Sequence, residues 1–119
     1  MSTDPRAAIA AADTALGIEF GSTRIKAVLI GPDHEVLATG GHGWENHLEG
    51  GLWSYSLDEV VAGLQSAYAS LVADVRERYD VTPTSYGSIG ISAMMHGYLA
   101  FDADDNLLAP FRTWRNTNT

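Results

Sequence analysis

The sequence predicts an α/β domain. A mixed sheet opens with a three-stranded antiparallel meander, one long helix follows, and a parallel strand and a hairpin complete it. Three observations carry that prediction. Residues 15–30 read strand, tight turn, strand, with Gly21-Ser22-Thr23 at the turn. Residues 57–79 place apolar side chains at helical spacing. Residues 86–93, Tyr-Gly-Ser-Ile-Gly-Ile-Ser-Ala, suit a buried strand of small and β-branched side chains. A strand returning beside the first after a helix makes the sheet mixed, with the helix on one face.

Composition bounds what such a domain can do. The chain has 119 residues, enough for one small domain, and 45% are hydrophobic, so a core can form. Seven Lys and Arg against 15 Asp and Glu give a net charge of -8. That argues against nucleic acid and against an anionic membrane surface as partners. It leaves a phosphate ligand open, because local N–H groups and a metal ion can outweigh the global field. There is no cysteine, which excludes disulfides and thiolate metal sites and fits a reducing cytoplasm. No apolar run approaches ~20 residues, so no transmembrane helix is expected. The N-terminus lacks a basic segment followed by an apolar one, so no signal peptide is expected.

Residues 1–14 are Ala-rich. Asp4-Pro5 has the chemistry to cap and start a short helix, but so short a helix is marginal alone, and a frayed tail is the expectation. Strands follow at 15–20 and 25–30. Gly31-Pro32-Asp33-His34 is a turn, and 35–41 is a third strand ended by Gly40 and Gly41. Residues 42–55 read as a loop holding Trp44 and Trp53. Either the two rings pin the loop onto the sheet, which is the favoured reading, or they face a substrate or partner. His42 and His47 lack a third ligand in register, so no metal site is proposed there.

Ser56-Leu57-Asp58-Glu59 is a capping box with Ser56 as N-cap. In the helix that follows, Leu57, Val60, Val61, Leu64, Ala67, Tyr68, Leu71, Val75 and Tyr79 form one stripe. Asp58 and Glu59 at its start and Arg76 and Arg78 near its end complement the helix dipole. Residues 81–84 connect to the strand at 86–93. Residues 98–109 read as a hairpin with the acidic turn Asp102-Ala103-Asp104-Asp105-Asn106. That turn begins like a calcium loop, but Leu107 stands where Gly is needed and Thr113 where Glu is needed, so a solvated turn is expected.

Chemistry concentrates in three places. The turn at Gly21, Ser22 and Thr23 can offer N–H groups and two hydroxyls to a phosphate, with Glu19 beside it to orient a hydrated Mg²⁺ and Lys26 to supply a charge. An ordinary Gly-Ser hairpin turn fits the spacing equally well. It is not a Walker A loop, since a strand rather than a helix follows. Met94-Met95-His96-Gly97 lies just past the strand at 86–93, where α/β sheets bind ligands. His96 can bond a substrate hydroxyl or simply hold a loop corner through the backbone. Trp114, Arg115 and Asn116 suit a polyhydroxylated ligand, by stacking and by hydrogen bonds, or belong to a ragged terminus.

Taken in order, Gly17-Ile18-Glu19-Phe20-Gly21-Ser22-Thr23 with Lys26, Ser92-Ala93-Met94-Met95-His96-Gly97, and Thr113-Trp114-Arg115-Asn116 resemble the N-terminal part of the FGGY carbohydrate kinases. That is the family of xylulokinase, ribulokinase, gluconokinase and glycerol kinase, within the actin–Hsp70–hexokinase superfamily. The likeness spans about residues 15–117. It implies a partial RNase H-like, actin-like ATPase domain, with residues 1–14 a tail and 15–119 the first part of domain I, the second domain absent. It implies ATP as cosubstrate with Mg, and a sugar or polyol as the small-molecule partner. Gly21, Ser22, Thr23 and Lys26 would face the phosphates, Glu19 a metal-bound water, and Met95, His96, Trp114, Arg115 and Asn116 the sugar. The family's catalytic base is expected beyond Thr119, so this chain alone is expected to be inactive, as an N-terminal fragment of a cytoplasmic kinase; a homodimer is one assembly open to the full-length protein, and the sequence does not fix the oligomeric state.

The motifs also depart from the family pattern. Glu19 and Asn116 replace Asp, Met94 replaces Gln, and the Arg expected two residues after Asn116 is Asn118. Two rival readings therefore stand. One is a non-catalytic relative that binds a sugar, a nucleotide or a partner. The other is a self-standing α/β interaction domain with no small-molecule site.

Overall fold

A computed structural model describes residues 4–21, 23–44, 47–49, 52–54, 57–93, 101–106 and 108. Its elements are α1 (Pro5–Ala10), β1 (Ala15–Phe20), β2 (Arg24–Ile30), β3 (Val36–Gly43), β4 (His47–Glu49), β5 (Leu52–Ser54), α2 (Leu57–Tyr79) and β6 (Ser88–Ala93). The main sheet has the order β3-β2-β1-β6. β1 and β2 are antiparallel, as are β2 and β3, while β6 runs parallel to β1. This is the mixed sheet expected from the sequence.

The meander forms because β1 and β2 alternate. Leu16, Ile25, Ala27 and Leu29 are buried on one face, while Glu19, Arg24 and Lys26 stand exposed on the other. The turn after β2 closes through Gly31 N–H donating to the Glu35 carbonyl (2.9 Å), with His34 in the left-handed region at φ 66°. The β2–β3 register shifts between Leu29 and Ile30, and Leu37 and Ala38, consecutive in β3, are both buried. A bulge there lets two neighbouring residues face the core.

α2 packs across β3 and β2. Its buried line is Gly63, Ala67, Leu71 and Val75. Val61, placed on the stripe by sequence, is 49% exposed, and Gly63 takes the inward position instead. A Cβ on Gly63 would lie 2.6 Å from Ile25 Cδ1 and 2.9 Å from His42 Cδ2, so the residue acts by lacking a side chain. Gly40 does the same from the sheet side: a Cβ there would overlap the Leu71 backbone N and the Ala67 carbonyl O, and would lie 2.9 Å from Leu71 Cα. Asp74 on α2 accepts from Thr39 N–H of β3 (2.9 Å) and from Arg78 Nε (2.9 Å). Tyr79 OH donates to the Leu37 carbonyl (2.8 Å). Ser56, the expected N-cap, lies outside the described residues.

Three expectations are corrected. The tail is a helix: Asp4 Oδ1 accepts from Arg6 N–H (3.2 Å), Pro5 opens α1, and Ala8 and Ile9 are each only 3% exposed. Ile9 joins the core with Leu16, Leu29 and Val75, so tertiary packing supplies what a six-residue helix lacks alone. The expected loop at 42–55 carries structure. β3 continues through Gly43, and β4 and β5 pair antiparallel with Leu48 opposite Trp53. Each arm is three residues, too short for alternation to show in sequence. Finally, the strand expected to be buried is exposed throughout, with Ile89 and Ile91 at 60% and 70%. Among the described residues β6 is the last strand of the sheet, and α2 covers β3 and β2 rather than β6. Tyr86, expected within that strand, lies in the connector, where its OH pairs with Tyr68 OH of α2 at 2.6 Å.

The acidic turn is built on Asp102. Its Oδ1 accepts from Asp104 and Asn106 N–H (both 2.9 Å), and Oδ2 accepts from Asn106 Nδ2 (3.2 Å). Donation by Asn106 N–H leads in holding the Asp102 carboxyl below its ordinary range. The expected hairpin arms at 98–100, 107 and 109 lie outside the described residues.

Candidate functional site

The face of the sheet opposite α2 is built from alternate residues of four strands. In register, Lys26 stands opposite Glu19, and Glu19 opposite Ser92. One rung along, Val28, Gly17 and Gly90 stand side by side. Gly17 and Gly90 bring no side chains, so the sheet surface is low there. The result is an open depression of about 390 Å³ lined by Glu19, Lys26, Ser92, Val28 and the two glycines, with Ile18 and Ile91 between them. Two of the chain's seven cationic residues, Arg24 and Lys26, belong to this face, so its local charge runs against the acidic whole.

The turn between β1 and β2 sits at one end of this depression. Gly21 N–H donates to the Arg24 carbonyl at 2.8 Å. Trp44, 7% exposed, fastens the turn from outside: its Nε1 donates to the Gly21 carbonyl at 2.7 Å and its backbone N–H to the Thr23 carbonyl at 3.1 Å. The sequence reading of Trp44 as an anchor agrees with this geometry, and the anchored object is the turn itself. The Gly21 N–H is spent inside the hairpin. What Gly21 contributes is room: a Cβ there would lie 3.0 Å from the Arg24 carbonyl and 3.6 Å from Glu19 Oε1. The Glu19 carboxylate therefore reaches toward the turn. Thr23 is exposed beside it.

β1 and β6 run parallel with Phe20 opposite Ala93, so their carboxyl ends finish together. The turn at Gly21 and the end of β6 at Ala93 thus lie at one end of the sheet, the place where open α/β sheets take ligands. Among the expected site residues, Glu19, Gly21, Thr23 and Lys26 are brought together. Ser22, Met95, His96, Trp114, Arg115 and Asn116 lie outside the described residues.

A metal fits this arrangement in one way. Among the described residues no three His, Cys, Asp or Glu side chains cluster to hold an ion. Mg²⁺ is commonly held by one or two hard carboxylates, with phosphates and water completing its shell. Glu19, exposed and aimed at the Gly21 turn, matches that requirement.

Two residues of this face were not singled out from sequence. Arg24 shares the parity of Lys26, and that parity was the available signal. Ser92 begins the Ser-Ala-Met-Met-His-Gly run, but its place beside Glu19 depends on a register that sequence does not print.

Comparison with known proteins agrees with this picture. Residues 14–119 match the model of the N-terminal domain of the FGGY family of carbohydrate kinases. Among solved structures, a xyloylose kinase from Brucella ovis superposes with a TM-score of 0.75 at 23% identity, covering 88% of this chain and 22% of that one. A gluconate kinase from Lactobacillus acidophilus gives 0.65 at 22% identity, covering 85% and 19%. A xylulose kinase from Rhodospirillum rubrum gives 0.63 at 17% identity, covering 83% and 20%. At these identities the likeness is one of fold, and the chain spans about a fifth of the length of each kinase. No curated protein sequence matches the chain.

Proposed function

The chain belongs to the FGGY family of carbohydrate kinases, and from that premise we propose that it forms one wall of the cleft of an ATP-dependent sugar kinase. The whole enzyme would transfer the γ-phosphoryl of MgATP to a hydroxyl of a ketose or polyol. The observation that carries this reading is the Lys26–Glu19–Ser92 rung beside the Gly21 turn, on an open face at the carboxyl end of β1.

In this reading Thr23 and Ser22 bond phosphate oxygens, Gly21 keeps the approach clear, and Lys26 supplies positive charge. Glu19 holds a water of the Mg²⁺ shell. Bound Mg²⁺ would neutralise phosphate charge and fix the phosphates' orientation. Met95, His96, Trp114, Arg115 and Asn116 line the sugar side. In this reading the catalytic base belongs to another part of the enzyme, so this wall of the cleft alone does not turn over. The whole enzyme is taken to be cytoplasmic, with a homodimer as one assembly open to it. No helix among the described residues is long and apolar enough to cross a membrane.

A second reading has a specific feature in its favour. Glu19 and Asn116 stand where the resemblance leads one to expect Asp, which fits a relative that binds sugar or nucleotide without turnover. A coupled ADP-release assay over ketoses, polyols and aldoses separates the two. It is run on this chain and on the full-length protein. Sugar-dependent turnover by the long form alone supports the kinase. Sugar binding without turnover by the long form supports the non-catalytic relative. Turnover by the short chain would refute the placement of the base.

A further inference from the structure

Arg24 and Lys26 stand on the same side of β2, and their register partners on β3 are Gly43 and Gly41. The Arg24 side chain does not stay on its own rung. A Cβ added to Gly41 would lie 2.6 Å from Arg24 Nη2, 2.7 Å from Nε and 3.1 Å from Cζ. The guanidinium therefore lies against the bare Cα of Gly41, the residue that pairs with Lys26. One row of side chains then crosses four strands: the Arg24 guanidinium over β3, Lys26 on β2, Glu19 on β1 and Ser92 on β6.

Among the described residues, neither cation has a side-chain hydrogen bond or ion pair. Like charges placed side by side on a sheet are unfavourable by themselves, and a multivalent anion bridging them reverses the sign. A guanidinium bonds two phosphate oxygens with its planar fork, whereas an ammonium acts as a point charge, so the pair is complementary rather than redundant. Gly41 matters because any side chain there would lift the fork off the sheet.

We infer that Arg24 is a second phosphate-binding cation of this face, laid flat by Gly41, and that it grips the polyphosphate of a nucleotide together with Lys26. This rests on the kinase reading above. Arg24 is exposed and borders no core residue by parity, so its replacement leaves the fold intact. Gly41→Ala is tolerated as well, because the atoms in its way are the tip of a flexible side chain.

The test is calorimetric titration of AMP, ADP and ATP, each with Mg²⁺, into the full-length protein and its Arg24→Gln, Arg24→Lys, Gly41→Ala and Lys26→Gln variants. Arg24→Gln is expected to weaken ADP and ATP roughly tenfold, the scale of one lost charge-assisted bond, and to leave AMP unchanged. Arg24→Lys recovers part of the loss, and Gly41→Ala reproduces part of it with the arginine still present. Unchanged ATP binding in Arg24→Gln, with Lys26→Gln weakened, overturns this inference and leaves the kinase reading standing. No change in either variant overturns both. An equal loss for AMP would place the effect away from the polyphosphate and also overturn it.

Discussion

Replacing Gly40 by alanine should be among the most damaging single-methyl additions to this fold. Gly40 lies on β3 under α2, and a Cβ there would overlap the Leu71 N and the Ala67 carbonyl O, with Leu71 Cα at 2.9 Å. The obstacles are helix backbone, which cannot rotate aside as a side-chain tip can. α2 must lift, so the fully buried Leu71 and Val75 lose their fit against Ala27 and Leu29, and the fully buried Ala67 loses its fit against Ile25. Overpacking typically costs 1–3 kcal/mol, and a rigid obstacle places this case at about 3 kcal/mol. Gly40 does not carry a positive φ, so the cost is spatial and not a backbone preference. Gly43 on the same strand is the control. Nothing lies within 4 Å of its Cβ position, and alanine there should be neutral or stabilise by roughly 0.4–1 kcal/mol through the unfolded chain. Urea unfolding followed by circular dichroism gives both numbers. With a slope of about 1–3 kcal/mol/M, Gly40→Ala should lower the midpoint by about 1 M or more. Equal midpoints for the two variants would refute the close approach of β3 to α2.

Other outcomes follow from the same structure. Trp44→Phe keeps a buried ring but removes the 2.7 Å bond to the Gly21 carbonyl, costing about 1 kcal/mol in urea unfolding. On the proposed function, the full-length protein should then show a larger rise in KM for ATP than for sugar, because the turn proposed to face the phosphates is what loosens; an equal rise in both would contradict this. Asp74 is held below its ordinary carboxyl range, first by Thr39 N–H and then by Arg78. A lowered folded-state value means its stabilisation is present above the unfolded value of about 3.9 and fades as pH falls through the folded value. Asp74→Asn should therefore be less stable than wild type at pH 7, with the gap closing below about pH 4; a gap constant with pH would refute the ionic origin. Burial, and then the bond to Tyr68, push the Tyr86 phenol well above its ordinary value. Its stabilisation is present below pH ~10 and is lost as pH rises above that. Absorbance titration should show one tyrosine ionising late, and Tyr68→Phe should bring it down.

Much of this fold was legible in the residues. β1 was read at its observed bounds and α2 ended where expected, because alternation and helical spacing are strong where a strand or helix has one wet face. The failures share a cause: each depends on a partner distant in sequence. α1 is held by Ile9 in the core, which a local propensity argument cannot see. Gly63 and Gly40 work by having no side chain, so a hydrophobic pattern passes over them. β6 has the composition of a buried strand, yet among the described residues it is the last strand of the sheet and lies away from α2, and composition does not report position in a sheet. At the candidate site, the proximity of Glu19, Gly21, Thr23 and Lys26 was legible because they fall in one short hairpin. Arg24 could not be ranked, since its side chain runs to a neighbouring strand over Gly41.

The strand order also carries a history of assembly. β1, β2 and β3 pair through short connections, and α2 joins them soon after in the chain. β6 must come back to β1 from far along the sequence, with residue 88 meeting residue 15. Loop-closure entropy delays such a pairing until the nearer ones are in place. On a ribosome the meander and its helix are synthesised before Ser92 is made. Glu19 and Lys26 are neighbours from the first moments of folding, and the rung that crosses to Ser92 is the last part of the face to close.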